Sequence, residues 1–184
     1  MARYAVLSLF AAATAAIGAA HAQPAPPPPP APSAAIGPFL IQAIEKVCLP
    51  LIQGQKIKDV VQANGLRHFR EDWLLQGPGV ERLIITPPSV ANPTICQLTI
   101  NYELDQTPGV VGVLANWAGS QTPPLQVLSS GYAVGPGVTG WSWDVDSGGG
   151  HQGLVFDRQT TPDGKPLGRT FEVGTMLFSS KSGG

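Results

Sequence analysis

Residues 94–102 alternate without interruption: Cys96, Leu98, Ile100 and Tyr102 share one parity, and Gln97, Thr99 and Asn101 share the other. Successive side chains of a strand point to opposite faces, so this run reads as a strand with one buried face, and Cys96 belongs to that face. The only other cysteine, Cys48, falls where Leu40, Ile44, Val47, Cys48 and Leu51 recur at helical spacing. Both sulfurs therefore point toward one interior. A Cys48–Cys96 bridge would pin the first helix to the sheet. Closing a loop of about 48 residues, it would stabilise the fold by about 4 kcal/mol in the chain-entropy model. The alternative, a reactive thiol, lacks a CxxC spacing and a flanking His or Lys to lower its pKa.

A lone cysteine pair of this kind is at home in an oxidising compartment, and the start of the chain agrees. Arg3 gives a positive n-region, residues 5–20 an uncharged apolar stretch, and Ala20-His21-Ala22 a small-x-small cleavage site. Residues 1–22 are therefore expected to be a signal peptide, with export to the periplasm or beyond the cell. The apolar stretch is short and alanine-rich against the roughly 20 apolar residues of a membrane span, so cleavage is favoured over a retained anchor. Residues 23–36 follow as a proline-rich linker. Its PAPPPPPAP core lacks amide donors and suits an extended polyproline II spacer better than helix or sheet. That leaves one α+β domain over residues 37–180, with no later segment apolar for long enough to cross a membrane.

Helices and strands divide along the chain. Gly37-Pro38 opens the first helix, which Pro50 should kink or end. A second, short helix carries Ile57, Val60 and Val61 and leaves through Asn64-Gly65. Strands are expected over 80–86 and 94–102. Thr107-Pro108 then reads as a cap and first-turn proline of a third helix that interrupts the strands, with Val110, Val113, Leu114 and Trp117 inward. An extended segment over 125–134 leads to a C-terminal antiparallel meander. In it, Trp141, Trp143 and Val145 share one face, with Ser142, Asp144 and Asp146 on the other. The expectation is thus two N-terminal helices on an antiparallel sheet, an interrupting third helix and a closing meander. Arg67, His68 and Arg70, followed by Glu71-Asp72, read as a solvated turn.

Charged residues make up 12% of the chain and the formal net charge is −1. Nucleic acid as a partner needs clustered Lys and Arg and is excluded on this ground. No cofactor motif is present, and no metal-ligand pattern is complete. The candidates for chemistry are Asp144, Asp146 and His151, which a hairpin through the glycines of residues 147–150 would bring together. Two carboxylates and an imidazole suit general acid–base work. Equally, the acids could face water beside a permissive turn. A calcium loop beginning here fails, because its fifth and twelfth positions would be Gly148 and Val155. Asp146-Ser147-Gly148-Gly149 is similar to the nucleophile segment of trypsin-like serine proteases. That similarity covers four residues, and His68 lacks the sequence setting of that family's base. Trp141 and Trp143 are candidate ligand platforms for sugar or peptide if their face escapes the core, and core residues if it does not.

Val47-Cys48-Leu49-Pro50, Asn92-Pro93 with Cys96, Leu114-Ala115-Asn116-Trp117 and Trp141-Ser142-Trp143-Asp144 together resemble motifs of small exported alphaproteobacterial proteins of unknown function. The resemblance spans most of residues 38–179. It implies an envelope location and a shared disulfide fold, and it implies no activity. The functional expectation is a non-catalytic binding or envelope-associated module for a protein or small ligand. The alternatives are a small envelope hydrolase using Asp144, Asp146 and His151, or an inhibitor of a secreted enzyme presenting the turn 147–150 or the loop 160–168.

Overall fold

A computed structural model describes residues 35–77 and 79–181; the expected signal peptide and the proline tract lie outside the described residues. The strands are β1 (Arg67–Phe69), β2 (Asp72–Gln76), β3 (Arg82–Thr86), β4 (Ile95–Glu103), β5 (Gln126–Gly135), β6 (Val138–Ser147), β7 (Gly150–Gln159) and β8 (Phe171–Lys181). Among the described residues they form one antiparallel sheet in the order β1-β2-β3-β4-β8-β7-β6-β5. The chain is α+β, as the sequence indicates. Strands β5 to β8 follow one another as neighbours, but β8 closes against β4, so the C-terminal strands are fused to the earlier ones rather than appended to them.

The first helical rod begins with α1 (Gly37–Gln42), runs through a π-helical stretch Ala43–Cys48, and continues as α2 (Leu49–Ile52). Pro50 was expected to kink or end this helix, and instead the helix passes through it. The backbone widens to π geometry just before the proline, with the Leu49 N–H bonded to the Ile44 carbonyl. This loosens the turn that a proline ring would otherwise crowd. An α-helix would pair the Lys46 carbonyl with the N–H of residue 50, which proline lacks. The Asn64 side-chain amide donates to that carbonyl at 3.0 Å and to the Val60 carbonyl at 2.9 Å. Asn64 ends α3 (Ile57–Asn64), and Gly65 follows in the left-handed region at φ 64°, the expected exit.

The rod and α4 (Thr107–Ser120) lie on one face of the sheet: α2 packs on β4 and β8, and α4 on β6 and β7. Cys96, Leu98, Ile100 and Tyr102 of β4 are all fully buried against them, with Leu154 and Phe156 of β7 and Met176 and Phe178 of β8 continuing the same layer. Ile36, assigned to the linker from sequence, is 1% exposed and belongs to this core. Cys48 and Cys96 are bonded, their α-carbons 5.4 Å apart and both residues fully buried. Trp117 of α4 stands edge-on to Phe178 at 5.8 Å, and its indole N–H donates to Glu45 at 3.1 Å, tying α4 to the rod.

Two local expectations are corrected. Residues 67–76 form the β1–β2 hairpin rather than a bare turn. His68 and Trp73 face each other across it, edge-on at 5.1 Å, and only the bend at Arg70 (φ 59°) and Glu71 is loop. Thr107 does not cap α4. The cap position falls on Gln106 without a side-chain bond, because the Thr107 hydroxyl is engaged elsewhere.

Candidate functional site

The strongest site lies on the helix-covered face of the sheet, just past the start of α4. There Trp141 of β6 is opposite Phe156 of β7, and their rings stack at 5.7 Å with planes 28° apart. Phe156 is fully buried. Its ring occupies the space over Gly174 of β8, where an added Cβ would meet the ring at 2.5 Å, so the aromatic pair depends on a glycine at that point. Trp143, two residues on, is 4% exposed and is core. Trp141 is only partly buried: one indole face rests on Phe156, and the residue lines a cleft of about 370 Å³. Asp105, Thr107, Pro108, Thr139, Arg158 and Glu172 complete the lining. Of the two tryptophans singled out as ligand platforms, Trp141 alone reaches a cleft on this face.

The wall of the cleft is a chain of polar groups running into the core. Arg158 of β7 and Glu172 of β8 sit diagonally across paired strands, Arg158 lying opposite Gly174. Arg158 Nε donates to Glu172 Oε1 at 3.0 Å, and Nη2 donates to the same oxygen. The Thr107 hydroxyl donates to Glu172 Oε2 at 2.7 Å and accepts from the Tyr102 hydroxyl at 2.9 Å. Glu172 is 2% exposed and Tyr102 fully buried. A carboxylate at that depth is tolerated because both oxygens are bonded and a cation lies alongside. Burial, above all, pushes the Tyr102 phenol up to about 12, so it stays a donor throughout the physiological range. The network thus fixes the guanidinium, which keeps partial exposure to the cleft.

Sequence reasoning missed this network, although a signal for it exists. Leu154, Phe156 and Arg158 share one parity on β7, and Glu172, Gly174, Met176 and Phe178 share one on β8. A cation and an anion each end a run of core positions, which marks an internal pair.

The other candidates lie on the opposite face. Asp146 and His151 are register partners across the β6–β7 hairpin, whose turn uses Gly148 and Gly149, both at positive φ. His151 Nδ1 is 2.9 Å from Asp146 Oδ1, and the two side chains are 44% and 86% exposed. Asp144 pairs in register with Gly153 and joins His151 in lining a smaller but more enclosed groove of about 270 Å³, whose apolar residues include Ile95, Leu128, Trp143, Val155 and Leu177. The structure therefore brings one carboxylate to the imidazole, in open solvent, and leaves the other along the groove. Among the described residues, no three His, Cys, Asp or Glu side chains are grouped to hold a metal ion, and no helix is long and apolar enough to cross a membrane.

No protein-family model, curated protein or solved structure matches this chain.

Proposed function

We propose that this protein is an exported binding module that holds a small ligand in the cleft at Trp141. The observation that carries this function is the half-buried indole. It is backed by Phe156 on one side and set into a cleft whose polar wall is already locked by Arg158, Glu172, Thr107 and Tyr102. A seat whose side chains are ordered before the ligand arrives loses little entropy on binding. A cleft of this size with a few convergent polar groups is the usual form of a small-molecule site. Export is supported by the leader-like residues 1–22 and by the buried Cys48–Cys96 bridge, and the proline tract would serve as a spacer between the envelope and the domain. Kinship with the small exported alphaproteobacterial proteins named above would fit the same role.

A hydrolase built on Asp146 and His151 has their 2.9 Å contact in its favour. Both groups are open to water, however, where an imidazole–carboxylate pair gains little over bulk solvent. The test is a fragment screen on the full mature chain by ligand-observed NMR, repeated with Trp141→Ala. Binders that disappear in the variant are the expected result. A screen with no Trp141-dependent binder, or ester hydrolysis that is lost in His151→Ala, would overturn the proposal. Periplasmic or culture-medium recovery of the chain shortened at Gln23 tests export, and recovery in the cytosol at full length rejects it.

A further inference from the structure

We infer that the ligand of the Trp141 cleft is a neutral saccharide, an inference that takes the binding function proposed above as its premise. The chemistry of the walls disfavours the other classes in turn. An anionic ligand would need an uncompensated cation, yet Arg158 is already spent on Glu172, and Asp105 adds a further negative charge at the cleft. A cationic ligand could pair with Asp105 but would share the cleft with the Arg158 guanidinium, which repels it. A wholly apolar ligand would cover Asp105, Thr139 and the partly exposed Arg158 without bonding them, stranding their polar groups away from water. What remains is a neutral molecule with one apolar face and a rim of hydroxyls.

A pyranose ring has that form. Its axial C–H face would lie on the indole surface turned away from Phe156, a contact in which an aromatic face supplies area at little entropic cost. Its hydroxyls, each both donor and acceptor, would bond the Asp105 carboxylate, the Thr139 hydroxyl and the free guanidinium N–H groups. The fixed Arg158–Glu172 pair gives the rim a defined geometry, as selection among sugar epimers requires. Pro108 and Thr107 at the start of α4 bound the cleft on its helix side.

The experiment is saturation-transfer NMR together with tryptophan fluorescence on the full mature chain. The probes are glucose, galactose, N-acetylglucosamine, their β-linked disaccharides, a proline-rich peptide and an apolar fragment set. Saccharide signals should be strongest on the protons of one ring face. They should fall at least tenfold in Trp141→Ala and several-fold in Asp105→Asn, a rim change that leaves the core intact. Trp141-dependent binding of the peptide or the apolar fragments, with no saccharide bound, would overturn the saccharide class and leave the binding function standing. No Trp141-dependent binding by any probe, in protein whose near-ultraviolet spectrum matches wild type, would overturn both.

Discussion

The Asn64 side chain donates to the Lys46 carbonyl at 3.0 Å, the acceptor that an α-helix would have paired with residue 50 had it not been proline. One residue at the end of α3 thereby compensates a proline inside the first helical rod. The same amide also bonds Val60, so it fastens its own helix end and its neighbour at once.

Asn64→Ala should cost about 1–2 kcal/mol by urea denaturation, the sum of two modest side-chain bonds. In the Pro50→Ala background the cost should shrink, because the backbone then supplies its own donor to Lys46. A double-mutant cycle measures this coupling. Equal costs in both backgrounds would show that Asn64 does not compensate the proline.

Removal of the bridge by Cys48→Ala with Cys96→Ala should lower stability by about 4 kcal/mol or somewhat more. The loop-closure contribution for a separation of 48 residues is joined by lost packing at two fully buried positions. Guanidinium unfolding of the wild type with and without reductant should give a similar difference.

Stability should fall as pH rises from 10 to 12. The Tyr102 phenol is held up to about 12 in the fold against 10.0 for the free side chain. Above pH 10 the unfolded chain therefore releases a proton that the folded chain retains, and ionisation favours unfolding. The loss should be of the order of 2 kcal/mol across that window and absent in Tyr102→Phe. That variant should also be about 1 kcal/mol less stable at neutral pH for want of its bond to Thr107. Denaturation midpoints at pH 9, 10 and 11 decide the matter.

Asp157 lies on the sheet face away from the helices, its Oδ1 buried without a hydrogen-bond partner, and burial raises its pKa. Its charge therefore opposes folding at neutral pH. Asp157→Asn should stabilise the protein at pH 7 by on the order of 0.5 kcal/mol. The gain should fade as pH drops into the carboxylate range, where the wild-type group takes up its proton. A variant less stable than wild type at pH 7 would show that the charge is satisfied.

The sheet core was legible because its strands obey strict alternation. Cys96 to Tyr102 could be assigned to the buried face from parity alone, and with Cys48 on a helical stripe the bridge followed. The path of the first rod was not legible, since tolerance of Pro50 rests on Asn64, which is distant in sequence and belongs to another helix. The β1–β2 hairpin was hidden by its charges: Arg67, His68 and Asp72 carry no apolar alternation, and an edge strand of three residues needs none. At the candidate site, Trp141 could be named but not distinguished from Trp143. Both have the same parity, and only the point where α4 begins decides which is covered. Thr107 looked like a helix cap because its partner Glu172 is 65 residues away.

The position of β8 between β4 and β7 has a consequence for how this chain matures. The seam joining the first four strands to the last four is stitched by residues 171–181, which are made after every other strand of the sheet. Until those residues emerge, β4 offers an open edge and the two sets of strands share no ladder, so cooperative closure of the sheet must wait for β8. A sheet assembled in this order becomes rigid only once β8 is in place. Truncation within the last strand would split the domain down its middle instead of trimming its rim.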